Sequence, residues 1–139
     1  MELMVGLAVT GSLSLIAVPK IQRTVDRAQV KSARAEVFNR LATARVSAQQ
    51  GGRLVVFRVA GSSIWAEARP RLVPAAGSTR DTLGTVVNLS SAYQVSVSTS
   101  LDSIVFDPSG LSTETGTIRV SRGAHTDSVA VTGFGSVIR

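Results

Sequence analysis

The sequence predicts an α+β protein, with one long N-terminal α-helix packed on a C-terminal antiparallel β-sheet domain. Two changes of pattern carry this reading. From Ile21 to Ala42 apolar and small residues recur at steps of four and three, which is a helical period, and Gly51-Gly52 interrupts it near Gln50. From Arg53 onward the apolar positions alternate with a period of two between short turn signals. At 139 residues the chain suits one folded unit, so we expect a helical part over 1–52 and a β-domain over 53–139.

The helical part divides at Pro19. Leu3 to Val18 carries no charge and is apolar on every face, so it has to be buried in lipid or in protein. Its length as a helix is about 24 Å, short of the roughly 30 Å core of a bilayer. It lacks the basic start and small-residue cleavage site of a secretory signal. Gly11, Ser12 and Ser14 weaken the helix and Pro19 lacks an N–H, so a kink or melted stretch is expected between Gly11 and Pro19.

Residues 20–50 read as an amphipathic stem with Ile21, Val25, Ala28, Ser32, Ala35, Phe38 and Ala42 on one stripe. A continuous helix over both parts would be about 75 Å long, and a domain of this size leaves about half of it projecting.

The β-domain begins with a hairpin, Leu54–Val59 and Ser62–Ala68 around Ala60-Gly61. Arg69 to Leu83 holds Pro70, Pro74 and Gly77 and reads as a loop. Strands are expected at Thr85–Leu89, Tyr93–Thr99, Ser103–Asp107, Thr117–Ser121, Ser128–Val131 and Ser136–Ile138. Asp107-Pro108-Ser109-Gly110 has the residues of a tight turn. Phe57 and Trp65 are expected in the core, and His125 in an exposed loop.

Charge and composition exclude several functions. With 44% apolar and 17% charged residues the chain is a folded protein. It has no Cys, which excludes thiolate chemistry, and one His with nine acids leaves little material for a metal site. No nucleophile–base pair, paired carboxylates or ligand cluster has useful spacing, and no catalytic residue, metal or cofactor is expected. Gly133-Phe134-Gly135 opens no helix and is no dinucleotide loop. The net charge of +6 lies entirely between Lys20 and Arg53, where eight basic residues face Asp26 and Glu36. A solvated helix face accounts for it; contact with nucleic acid, acidic lipid or acidic subunits is the alternative.

The N-terminal run Glu2-Leu3-Met4-Val5-Gly6-Leu7-Ala8-Val9, continued through Gly11 to Ile16-Ala17-Val18-Pro19, resembles the N-terminal signature of type IV pilins and pseudopilins. Glu2, Gly11 and Pro19 stand at that family's mutual spacing. Ile104-Val105-Phe106-Asp107-Pro108-Ser109-Gly110, Gly116-Thr117-Ile118-Arg119-Val120 and Val129-Ala130-Val131-Thr132-Gly133 resemble the GspH/FimT group within it. The family has its acid at the fifth mature position and a basic leader ending in Gly before it. Here the acid is second, so the upstream coding sequence is expected to supply the leader. Lys and Arg counted beside the apolar run would place residues 20–45 in the cytoplasm; the resemblance places them outside.

The resemblance implies a structural subunit of a pilus-like or type II secretion pseudopilus filament, periplasmic or on the surface of a bacterium. Its partners would be other copies of itself or other pilins in a helical filament, the inner membrane before assembly, the prepilin peptidase and the assembly platform. N-terminal methylation follows from the same likeness. Glu2 would pair with the α-amino group of a neighbouring subunit, because a lone carboxylate in hydrocarbon is costly. Leu3, Val5, Leu7, Val9, Gly11, Leu13, Leu15, Ile16 and Pro19 would line the assembly surface. A second reading is a minor pilin that binds DNA or a secreted substrate, with Arg119, Arg122 and Arg139 as candidate nucleic-acid contacts. Members of the FimT group that capture DNA use a C-terminal Gly-Arg-x-Arg motif; in the corresponding Gly135-Ser136-Val137-Ile138-Arg139 both motif arginines are replaced and only the terminal Arg139 remains. A third is a membrane-anchored β-domain unrelated to filaments.

Overall fold

A computed structural model describes residues 2–69 and 81–138, and for residues 2–19 the backbone alone. Helix α1 runs over Glu2–Gly51, 50 residues without interruption. The melted stretch expected between Gly11 and Pro19 is therefore absent. Proline removes one N–H, but its fixed φ is helical, so the backbone assignment passes through it. The helix ends where expected. Gly52 takes the left-handed conformation (φ 57°), and the Arg53 N–H donates to the Ala48 carbonyl at 3.3 Å, which satisfies one of the last free carbonyls.

Among the described residues eight strands form two antiparallel four-stranded sheets, where one set was expected. The first joins β1 (Val55–Ala60), β2 (Ser63–Ala68), β3 (Asp81–Asn88) and β5 (Ser103–Phe106) in the order β3-β2-β1-β5. The second joins β4 (Ser96–Thr99), β6 (Gly116–Arg122), β7 (His125–Val131) and β8 (Val137–Ile138) in the order β4-β6-β7-β8. The predicted hairpin is β1–β2, with Val55 opposite Ala68 and Ala60 opposite Ser63. Between the sheets, Asp107–Gly110 makes its turn: the Gly110 N–H donates to the Asp107 carbonyl at 2.9 Å. The Asp107 carboxylate also accepts from the Ser109 and Leu111 N–H groups at 2.8 and 2.9 Å.

Helix α1 lies across both sheets, against β1 and β2 of the first and β6 and β7 of the second. Its buried residues are Val30, Ala33, Val37, Leu41, Ala44 and Ala48, again at steps of three and four. Alanines at 33, 44 and 48 let the backbone approach the sheets, while Val37 and Leu41 fill the space between them. Opposite them lie Phe57 and Ile64 from the first sheet, Ile118 and Val129 from the second, and Phe106 at the join. The stripe read from the sequence is a different one. Ile21, Val25, Ala28, Ser32 and Ala35 are exposed, and Phe38 and Ala42 are half-buried.

Four further expectations are corrected. Residues 89–93 are neither strand nor loop but a five-residue helix, α2 (Leu89–Tyr93), so β3 ends at Asn88 and β4 begins at Ser96. The Asn88 side chain caps it by accepting from the Ser91 N–H at 3.0 Å, and buried Leu89 anchors it. One turn of helix is too short to leave a period in the sequence. Trp65 is half-buried on the outer face of β2, where its Nε1–H donates to Glu67 Oε1 at 2.8 Å; Ile64 and Ala66 face the core instead. His125 opens β7 rather than lying in a loop, and its Nε2 is buried with no hydrogen-bond partner among the described residues. Of the loop expected over 69–83, β3 claims residues 81–83 and residues 70–80 lie outside the described residues.

Two long-range ion pairs fasten α1 to the second sheet. Asp26 Oδ1 meets Arg122 Nε at 2.7 Å, and Arg34 Nη1 meets Asp127 Oδ2 at 2.6 Å. All four side chains keep a fifth to a third of their surface exposed, so each pair is worth at most about 1 kcal/mol. Packing therefore dominates the attachment. Leu41→Ala is expected to lower domain stability by about 2–5 kcal/mol in denaturant unfolding, while Ile21→Ala shifts it by no more than about 0.5 kcal/mol. A double-mutant cycle on Asp26 and Arg122 should give a coupling of about 0.5–1 kcal/mol that shrinks in molar salt.

Candidate functional site

The functional surface that the fold leaves open is the face of α1 turned away from its own domain. At 3.6 residues per turn, Ile21, Val25, Ala28, Ser32, Ala35, Asn39, Ala42 and Val46 fall on one line, roughly opposite the buried stripe and apolar but for Ser32 and Asn39. Ile21 is 62% exposed, Val25 43% and Val46 45%. The helix thus has two apolar stripes, and the domain covers one. The open stripe runs up to the uncharged segment Leu3–Val18, whose side chains fall outside the described residues. Among the described residues no helix is long and apolar enough to cross a membrane.

Beside the open stripe lies a basic flank. Lys20, Arg23, Arg27, Lys31 and Arg34 follow one another at steps of three and four along one side of α1. The first four are exposed, and among the described residues none has an ion-pair partner. Arg34 is engaged by Asp127, and Asp26, the acid nearest the flank on the helix, by Arg122. Further along, Arg40 Nε bonds Glu36 Oε1 and its Nη1 donates to the Thr85 carbonyl, both at 2.6 Å. The basic excess read from the sequence is therefore divided. Among the described residues the part nearest the apolar segment has no ion-pair partner, whereas Arg34, Arg40 and Arg53 reach Asp127, the Thr85 carbonyl and Asp81, and the Arg45 Nε is buried without a hydrogen-bond partner.

The concave features offer little chemistry. A groove of about 560 Å³ between α1 and β3 is lined by Glu36, Arg40, Thr43, Ser47, Leu83 and Thr85 among others. Its charged groups are already paired with each other or with the backbone. A smaller recess of about 260 Å³ brings Arg27, Lys31, His125 and Asp127 together at the start of β7. Among the described residues no group of three His, Cys, Asp or Glu is gathered as a metal site would need.

The candidate nucleic-acid contacts are not assembled into a patch. Arg119 is exposed on the outer face of β6, while Arg122, three residues on, turns to the helix side. There it is taken up by Asp26 and, through Nη1, by the Tyr93 carbonyl at 3.0 Å. Arg139 lies outside the described residues. So do the side chains of Glu2, Leu3, Val5, Leu7, Val9, Gly11, Leu13, Leu15, Ile16 and Pro19.

The stripe that faces the domain is what the sequence reading missed. Val30, Val37 and Leu41 repeat at the same spacing as Ile21 and Val25 and are bulkier than the Ala and Ser of the open stripe. The open stripe carries Ile21 and Val25, as bulky as these, and the covered one carries three alanines, so no local signal marks which stripe is covered.

The model of the type II transport protein GspH family matches residues 33–136. Among solved structures, the type IV minor pilin FimU of Pseudomonas aeruginosa superposes with a TM-score of 0.64 at 15% identity, covering 83% of this chain and 90% of FimU. A second crystal form of FimU gives 0.59 at 14% identity, with 78% and 90% covered. The minor pseudopilin EpsH from the type 2 secretion system of Vibrio cholerae gives 0.63 at 12% identity, with 79% and 94% covered. At these identities the structural likeness establishes the fold. No curated protein sequence matches the chain. The long helix laid over antiparallel sheets is the minor pilin and pseudopilin fold, and on the family match over three-quarters of its length the chain belongs to the GspH family of type II transport proteins.

Proposed function

We propose that this chain is a structural subunit of a pilus-like or type II secretion pseudopilus filament, polymerising through α1, with no catalytic role and no cofactor. One observation carries the proposal: an apolar stripe on α1 that the subunit's own domain leaves uncovered. Exposed apolar side chains in a row mark a surface meant for another molecule. Here the row prolongs a segment that has to be buried wherever it is found. Neighbouring α1 helices would cover both in a filament, and lipid would cover the first segment before assembly. The hydrophobic gain is then kept in either state.

In this reading Leu3, Val5, Leu7, Val9, Leu13, Leu15 and Ile16 form the filament core, with Gly11 allowing close helix approach. Glu2 pairs with the terminal amine of a neighbour and sets the axial register. The inner membrane, prepilin peptidase and assembly platform are the partners before assembly, and the finished filament is periplasmic or at the cell surface. DNA capture is the rival reading, and the geometry does not favour it. Arg119 and Arg122 face opposite ways and Arg122 is already neutralised.

Ile21→Asp with Val25→Asp is expected to lower filament yield at least about tenfold while the unfolding of the domain stays within about 0.5 kcal/mol of the parent. Glu2→Ala should block or slow assembly with the same intact domain; unchanged yield would remove the pairing role. Binding of residues 24–139 to duplex DNA should be weak and fall steeply with salt. Tight binding at physiological salt would favour the rival.

A further inference from the structure

We propose that the basic flank of α1 is a binding surface for anionic phospholipid headgroups, used while the subunit is held in the bilayer before assembly. This rests on the reading above that Leu3–Val18 is stored in lipid. The surface is Lys20, Arg23, Arg27 and Lys31, four exposed cations on one side of the helix within about 16 Å of its length. They begin two residues after the uncharged segment, which is where a helix leaving the hydrocarbon enters the headgroup layer. Cations at that depth are attracted by an anionic leaflet, and the attraction fades within a Debye length of about 8 Å. Lys20 and Arg23 fall within reach of an upright helix. Arg27 and Lys31 reach the phosphates when the helix leans toward them.

Three features of the structure favour this partner over solvent. The acids that face the flank are occupied: Asp26 by Arg122 and Asp127 by Arg34. Counting Arg34, Arg122 and these two acids, the end of the stem keeps a surplus of four positive charges. His125 faces the same recess with its Nε2 buried, adding no acid. Adjoining the flank, exposed Ile21 and Val25 give the helix an apolar strip beside a basic one, the arrangement that lies in a membrane interface. The lean has a mechanical consequence. Because α1 is continuous through Pro19 and carries the domain on another side, headgroup binding would hold the domain in one orientation to the membrane before it joins a filament.

The chain has no cysteine, so Ala28→Cys accepts a single fluorescent label on the exposed face of the full-length protein. The protein is reconstituted into phosphatidylcholine vesicles with or without about one-third phosphatidylglycerol, and quenching by a headgroup-borne quencher is measured. Quenching should be at least about threefold stronger in anionic vesicles. It should return to the neutral value in 0.5 M salt, and in protein that also carries Arg23→Gln, Arg27→Gln and Lys31→Gln. Equal quenching in both compositions, in protein that floats with the vesicles, overturns the inference and leaves the membrane-stored reading standing. Quenching that follows protein density rather than lipid charge overturns it in favour of a second copy as the partner. Failure to float with neutral vesicles removes the membrane-stored reading itself, and this inference with it.

Discussion

A helix as long as α1 can bury only the stripe that its own domain reaches, and α1 carries apolar side chains on two. The domain settles on Val30, Ala33, Val37, Leu41, Ala44 and Ala48 because small residues there admit the backbone and two or three larger ones fill the join between the sheets. That choice leaves Ile21, Val25, Ala28 and Ala35 facing outward. The open surface of the stem follows from which stripe is covered. The domain serves as a clamp on one half of the helix and leaves the other half to its surroundings.

Charge is divided in a similar way. Three of the cations near the β-domain meet acids or carbonyls: Arg34 with Asp127, Arg40 with Glu36 and Thr85, Arg53 with Asp81 at 3.3 Å; the Arg45 Nε is buried with no hydrogen-bond partner among the described residues. Those toward the apolar segment meet none among the described residues. Partly exposed pairs add little stability, but they fix the azimuth of the helix, since Asp26 and Arg34 reach β6 and β7 from one side only. The rotation that satisfies them is the one that turns the open stripe outward. Packing supplies the strength of the attachment, and the ion pairs restrict it to one rotational setting.

The β-domain shows how small local features escape a pattern reading. Asn88 reads as an ordinary residue of the strand Thr85–Leu89, yet its side chain caps a single helical turn that begins at Leu89. Trp65 alternated correctly within its strand, but on the face turned outward, where Glu67 receives its indole N–H. Alternation tells which residues share a face. It does not tell which face is covered, and a large aromatic is a misleading guide when its polar edge has a partner at the surface.

By itself the sequence determined the class of fold, the long N-terminal helix, its stop at Gly51-Gly52, the first hairpin, the Asp107–Gly110 turn and the family. Each is written in neighbouring residues, as a period, a glycine pair or a run of motif positions. Only the tertiary structure decided that the strands divide into two sheets, which stripe of α1 is buried, and which of the stem's cations are free. Those outcomes depend on contacts between residues far apart in the chain, such as Asp26 with Arg122 and Leu41 with the sheets. Two stripes at the same spacing are equivalent to a one-dimensional pattern, and only packing volume in three dimensions separates them.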